Sequence, residues 1–269
     1  MRITARYGFG SLVVAATGLA FALSLNAAEP QAAKLKPGQY NPEHETIELF
    51  EGIKAGQLEA KFIPKDSTQA RVFITNKSKK PLNVKLPQAF AGVPVLAQAG
   101  AGYGAGGGTI GQSMGGGGLG GGGGLGGGGG MGAFNIPAEK VGELKGECVC
   151  LEHGKAEPRP NMKYEIRPIE TVASDPAVHE LCKMLGTGQM SQIAAQAAAW
   201  RLNSGMTWQQ LEEKYIERAD GERQWYFTDD ELAAAKRIAT EVERRAAEAK
   251  QPEKPIASPG EAAISDRKI

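Results

Sequence analysis

Short segments that alternate apolar, β-branched and polar residues dominate the first part of the chain. Such segments, when bounded by turn-forming residues, predict β-strands. Before the middle of the chain they lie at residues 58–64, 70–76 and 82–87. The same pattern resumes between residues 133 and 172, and a short helix is predicted over residues 45–56, ahead of the first strand.

From residue 174 onward the spacing of apolar residues changes to a helical period. The first predicted helix has its N-cap at Ser174 or Asp175 and ends near Gly186. An alanine-rich helix follows it. Two further helices are predicted to begin after Thr207 and Thr228, because each threonine is followed three residues later by Gln or Glu, which is the spacing of a capping box.

A glycine-rich run separates the two groups of predicted strands, and glycine fills 22 of the 33 positions between Gly100 and Gly132. Such a run buries little apolar surface to offset its backbone entropy, so a disordered loop is predicted over residues 98–133. The strands on either side are few for two separate cores. We therefore predict one β-sandwich over residues 45–172, Ig-like or similar, interrupted by this disordered Gly-rich loop. A linker between two small domains is the alternative.

A small helical domain at residues 174–250 completes an α+β fold, and the N-terminus predicts export. Two arginines precede an apolar run and then small residues, which is typical of a signal peptide over residues 1–28. The run is short for a bilayer span, and no transmembrane segment is expected in the mature chain. Residues 29–44 predict a disordered leader and residues 251–269 a disordered tail. The expected location is periplasmic, extracellular or at the cell surface.

The charge balance narrows the class of partner. The chain has 31 basic and 30 acidic residues, and the predicted signal peptide carries two of the basic ones. A nearly neutral mature chain has no electrostatic attraction to nucleic acid or to an anionic membrane. We expect a protein partner of the envelope or surface, whose identity the sequence does not give.

The sequence contains no known catalytic motif at a place where the predicted strands and helices would support it. We find no nucleophile elbow, no metalloprotease helix and no phosphate-binding loop. The acidic residues 229–231 open a predicted helix, where they favour the helix dipole, so capping explains them better than catalysis does. A non-enzymatic protein without a cofactor is the expectation.

Three cysteines, Cys148, Cys150 and Cys182, allow more than one chemistry. Export favours a disulfide. Cys148 and Cys150 are poorly placed to bond to each other along one strand. A bridge from Cys150 or Cys148 to Cys182 would join strand to helix and add about 3 kcal/mol of stability. The alternative is a zinc site, whose candidate ligands are Cys148, Cys150, His153, His179 and Cys182.

Two short motifs resemble those of bacterial surface thioester domains. One is Cys150 followed by the apolar Leu151 on a predicted strand, and the other is Gln196 four residues before Trp200 on a predicted helix. That family combines a β body with a helical part. The resemblance implies an internal thioester between Cys150 and Gln196, which an amine on a target surface can open. The chain departs from the family pattern at Val149, where an aromatic residue or leucine is usual.

The chain as a whole also resembles uncharacterised exported bacterial proteins that combine a signal peptide, a glycine-rich insertion and an alanine-rich helical C-terminus. This resemblance implies export and supplies no activity. The leading expectation is an exported, non-enzymatic binding or structural protein of the cell envelope or surface. The alternative is a covalent surface adhesin that uses the Cys150–Gln196 thioester.

Overall fold

Most strands precede most helices along the described residues, which are 38–95, 111–117, 132–188 and 190–250 of the computed structural model. The strands are β1 (Glu45–Glu48), β2 (Leu58–Pro64), β3 (Gln69–Asn76), β4 (Leu82–Lys85), β5 (Ala89–Pro94), β6 (Met114–Gly117), β7 (Ala133–Ile136), β8 (Val141–Cys150), β9 (Tyr164–Pro168), β10 (Tyr215–Glu217) and β11 (Arg223–Trp225). The α-helices are α1 (Leu49–Lys54), α2 (Pro176–Gly186), α3 (Gln192–Asn203), α4 (Trp208–Glu212) and α5 (Asp229–Ala249). The predicted signal peptide, the first part of the leader and the predicted tail lie outside the described residues.

Six of these strands close into a barrel in the order β2-β3-β8-β6-β5-β9. The prediction of a β-sandwich is therefore wrong, although a mixture of α and β structure is compatible with the fold. Strand β9 makes the difference, because it pairs with β2 at Phe62↔Tyr164 and with β5 from Phe90↔Pro168 to Pro94↔Tyr164. Those pairings join edges that a sandwich would leave open. A separate sheet has the order β1-β4-β7, and β10 and β11 form a hairpin.

Part of the predicted disordered loop is a barrel strand. Strand β6 is buried throughout and pairs with β5 on one side and β8 on the other. Its glycines allow α2 to approach closely: a Cβ on Gly115 would lie 2.6 Å from Cys182 Sγ, and one on Gly117 would overlap the backbone of Cys182 and Gly186. The neighbouring elements thus supply the buried surface that β6 itself lacks. Residues 96–110 and 118–131 of the run lie outside the described residues.

The helical half follows its capping signals. Asp175 caps α2, and the capping boxes predicted at Thr207 and Thr228 are both formed. Helix α4 ends at Glu212, because the chain then turns into the exposed β10–β11 hairpin. No helix within the four described ranges is both long and apolar enough to cross a membrane.

Strand β8 separates two apolar cores. Alternate side chains of a strand point to opposite faces. Cys148 therefore belongs to the barrel interior, with Phe62, Phe90 and Val72, whereas Val149 belongs to the core beneath the helices. Helix α3 contributes to that second core with alanines that are fully buried, and their small size lets it pack closely on β8 and α5.

Candidate functional site

Helix α3 docks on the edge of β8 through glutamine side chains. The pairing of β3 with β8 reaches Gln69↔Glu147, and one further bond runs from Cys148 N to Thr68 O at 2.7 Å. Beyond that point, glutamine side chains of α3 bond to the backbone of β8 in place of β3. The first is Gln192, whose Nε2 donates to Cys148 O at 2.8 Å.

Gln196, one turn later on α3, bonds twice to Cys150. The N–H of Cys150 donates to Gln196 Oε1 at 2.8 Å, and Gln196 Nε2 donates to the carbonyl of Cys150 at 2.8 Å. Gln196 is 3% exposed and Cys150 is 1% exposed, so this paired amide is shielded from water. The structure thus brings together two residues that lie 46 positions apart in the sequence.

The thiol of Cys150 is neutral. Its Sγ donates to the backbone oxygen of Ser67 at 3.6 Å. Burial, together with the carboxylates of Glu157 and Asp66, raises the pKa of Cys150 to about 12. A thiol with so high a pKa is a weak nucleophile until a base removes its proton.

The segment after β8 is also anchored to the end of α3. Leu151 O accepts bonds from Asn203 Nδ2 at 2.7 Å and from Ser204 Oγ at 3.0 Å. The N–H of His153 donates to the same Ser204 hydroxyl at 2.9 Å. Helix α3 therefore fixes the chain from Cys148 to His153 along its whole length.

Three rings and a lysine lie one turn beyond Gln196, and we call Trp200, Tyr226 and His153 the ring cluster. Trp200 lies 4.9 Å from His153 and 5.4 Å from Tyr226 between ring centroids. Lys214 Nζ lies 5.2 Å from the Trp200 centroid, 5.0 Å from that of Tyr226 and 3.0 Å from His153 Nε2. Sequence reasoning singled out Trp200 and His153 but missed Lys214 and Tyr226, since no local pattern links them to Cys150.

The cysteines are free thiols, and the predicted disulfide partners are not brought together. Gly115 and Gly116 of β6 face opposite ways: a Cβ on Gly115 would meet Cys182 Sγ, and one on Gly116 would lie 3.2 Å from Cys148 Sγ. Cys182 thus packs outside the barrel and Cys148 inside it. Cys150 shares the side of β8 that Cys148 occupies.

The five residues predicted as zinc ligands are also dispersed. His179 lies on α2, and its Nε2 bonds to Ala173 O at 2.6 Å, whereas His153 lies in the ring cluster. In the part of the chain that the structure describes, no three His, Cys, Asp or Glu side chains form a group that could hold a metal ion.

Comparison with known proteins identifies no relative of this chain. No family model matches the chain, and neither a curated protein nor a solved structure is significantly similar to it.

Proposed function

We propose that this is an exported, non-enzymatic binding protein that forms an internal thioester between Cys150 and Gln196 and attaches through it to an amine of its partner. The observation that carries the proposal is the buried pairing of the Gln196 amide with the backbone of Cys150, a residue whose thiol is free. The resemblance to surface thioester domains names the same two residues. The partner that we propose is, as expected from the sequence, a component of the envelope or surface.

Formation of the thioester is an exchange within the chain. The sulfur of Cys150 attacks Cδ of Gln196, the Cδ–Nε2 bond breaks, and the amide nitrogen leaves as ammonia with the thiol proton. No oxidant or reductant is required. The Gln196 amide is hydrogen-bonded to the backbone of Cys150, so the reaction takes place within one chain and replaces a bimolecular encounter.

Opening of the thioester attaches the partner. A primary amine of the partner attacks Cδ, a new amide bond forms, and the sulfur of Cys150 leaves and regains a proton. Each molecule reacts once, so the protein is a single-use binder and not an enzyme. Burial protects the acyl group from water, because Gln196 and Cys150 are both almost fully shielded.

Gln192 illustrates a purely structural role for a glutamine on α3, and it also provides the control. It too bonds to a backbone carbonyl of β8, so glutamines on this face of α3 contribute to docking whether or not a thioester forms. Gln196 differs because it makes two bonds to the backbone of one residue, Cys150, and is almost fully buried.

The intact mass of the secreted protein, before and after exposure to methylamine, tests the proposal. The wild type and Gln192→Ala should each be one ammonia lighter than their sequences require, and each should gain one methylamine. Gln196→Ala and Cys150→Ala should have their full masses and should not react. A wild type of full mass that methylamine leaves unchanged would refute the proposal.

A further inference from the structure

We infer that the ring cluster of Trp200, Tyr226 and His153 is a binding site for a primary ammonium group, which Lys214 fills until a lysine of the partner replaces it. The inference rests on the proposed thioester for its purpose, since it names lysine as the class of amine that is delivered. The binding itself can be measured without a thioester.

The geometry of the ring cluster suits a cation. The Lys214 ammonium lies 5.2 Å and 5.0 Å from the centroids of Trp200 and Tyr226, within the range of cation–π attraction. It also lies 3.0 Å from the ring nitrogen Nε2 of His153. A side chain of the protein itself thus occupies the place that a ligand ammonium would take.

The cluster lies beside the proposed thioester. Trp200 follows Gln196 by four residues on α3, so the two side chains are neighbours on one face of the helix. His153 follows Cys150 by three residues and is anchored to the end of the same helix. The carboxylate of Glu157 acts to raise the pKa of Cys150, of Lys214 and of Tyr226.

The protonation of the cluster suits an ammonium ligand. Burial and the charge of Lys214 both lower the pKa of His153, so its ring is neutral near pH 7 and Nε2 can accept a hydrogen bond from a bound ammonium. Burial also lowers the pKa of Lys214, with the Glu157 carboxylate partly offsetting the effect. The same burial acts on any ammonium in the cluster, and the attraction of the two ring faces and of His153 Nε2 opposes it.

Lys236 shows how a structural lysine differs. Its Nζ lies 5.7 Å from the Trp208 ring but also pairs with Glu212 at 2.9 Å, on an exposed face of α5. Lys214 instead lies in the turn between α4 and the exposed β10–β11 hairpin, immediately before β10. It can swing outward without disturbing an element of the core.

The test measures binding of Nα-acetyl-lysine methylamide in a Cys150→Ala background, which cannot form the thioester. The indole N–H signal of Trp200 reports binding by NMR, and the signals of Trp208 and Trp225 serve as references. In Lys214→Met the probe should shift the Trp200 signal and bind about fivefold more tightly than when Lys214 is present. Lys236→Met should behave as the background protein does.

Two further measurements make the result decisive. The uncharged analogue Nα-acetyl-norleucine methylamide should not shift the Trp200 signal. Adding Tyr226→Leu to Lys214→Met should weaken binding of the lysine probe. Equal affinity with and without Lys214, or equal binding of the two probes, would overturn the inference.

The two proposals fail separately. A missing mass deficit in the wild type would refute the thioester and leave the ammonium site to the NMR result. A mass deficit with no binding of the lysine probe would support the thioester and refute the ammonium site.

Discussion

The side-chain amide of Gln196 fills the place beside Cys150 that a continuing β3 would occupy. Its two bonds of 2.8 Å satisfy the N–H and the carbonyl of Cys150 as a neighbouring strand would. Pairing by β3 has ended at Gln69↔Glu147. A helix thus completes the sheet edge, and this joint connects the barrel to the helical layer at the proposed reactive site.

Loss of Gln196 should destabilise the fold more than loss of Gln192. Gln196→Ala leaves two buried backbone groups unpaired and should lower the free energy of unfolding by about 2–4 kcal/mol. Gln192 is half-buried and makes one bond, so Gln192→Ala should cost about 1 kcal/mol. Urea denaturation in a Cys150→Ala background, without a thioester, checks both values. Equal losses would contradict the proposed role of the amide at this edge.

Alanine at Gly117 should prevent α2 from docking as it does. The added Cβ would overlap the backbone of Cys182 and Gly186, which cannot move independently of the helix. We expect a loss of about 3 kcal/mol or more. Gly116→Ala is the matched control, because its Cβ would meet mainly the Phe90 side chain, 2.7 Å away, and should cost less. Thermal denaturation distinguishes them, and a neutral Gly117→Ala would contradict the assignment of β6.

Stability should fall at alkaline pH through the buried thiols. Burial raises the pKa of Cys182 from its ordinary value of 9.0 to about 12. Between those values the unfolded chain loses the proton that the folded chain keeps, so the stability present below pH 9.0 decreases as the pH rises. Cys182 contributes about 1.4 kcal/mol per pH unit in this window.

Cys182→Ala isolates that contribution. Urea denaturation of the wild type and the variant between pH 9 and 11 should give a shallower decline for the variant. Identical slopes would show that Cys182 ionises as easily in the folded protein as in the unfolded chain.

Local patterns predicted the elements better than their arrangement. The strand periodicity located β2 and β3, and caps at Asp175 and Thr228 located α2 and α5. Closure of the barrel depends on the pairing of β9 with two strands that are distant in the sequence. The alternation of apolar and polar residues within a strand does not specify which strand it pairs with. This is why the sandwich prediction was wrong.

Strand β6 was missed for a different reason. The prediction was based on the apolar area that each segment could bury with its own side chains. Glycine has no side chain and therefore contributes no such area. Gly117 is nevertheless buried because the backbone of α2 lies where its side chain would be. Only the path of the helix reveals this requirement.

At the site, motif resemblance named Cys150 and Gln196, and the structure places them in contact. Lys214 and Tyr226 carried no comparable signal. They reach the ring cluster through the turn after α4 and the end of the β10–β11 hairpin, a path that helical spacing did not predict.

Peptide mapping after treatment with methylamine tests the central claim most directly. The proposal predicts that the methylamide is found on Gln196, that Gln192 is unmodified, and that Cys150 in the same molecules becomes a thiol open to alkylation after unfolding. An unmodified amide at Gln196 in all recovered peptides, with Cys150 alkylated to the same extent before and after methylamine, would contradict it.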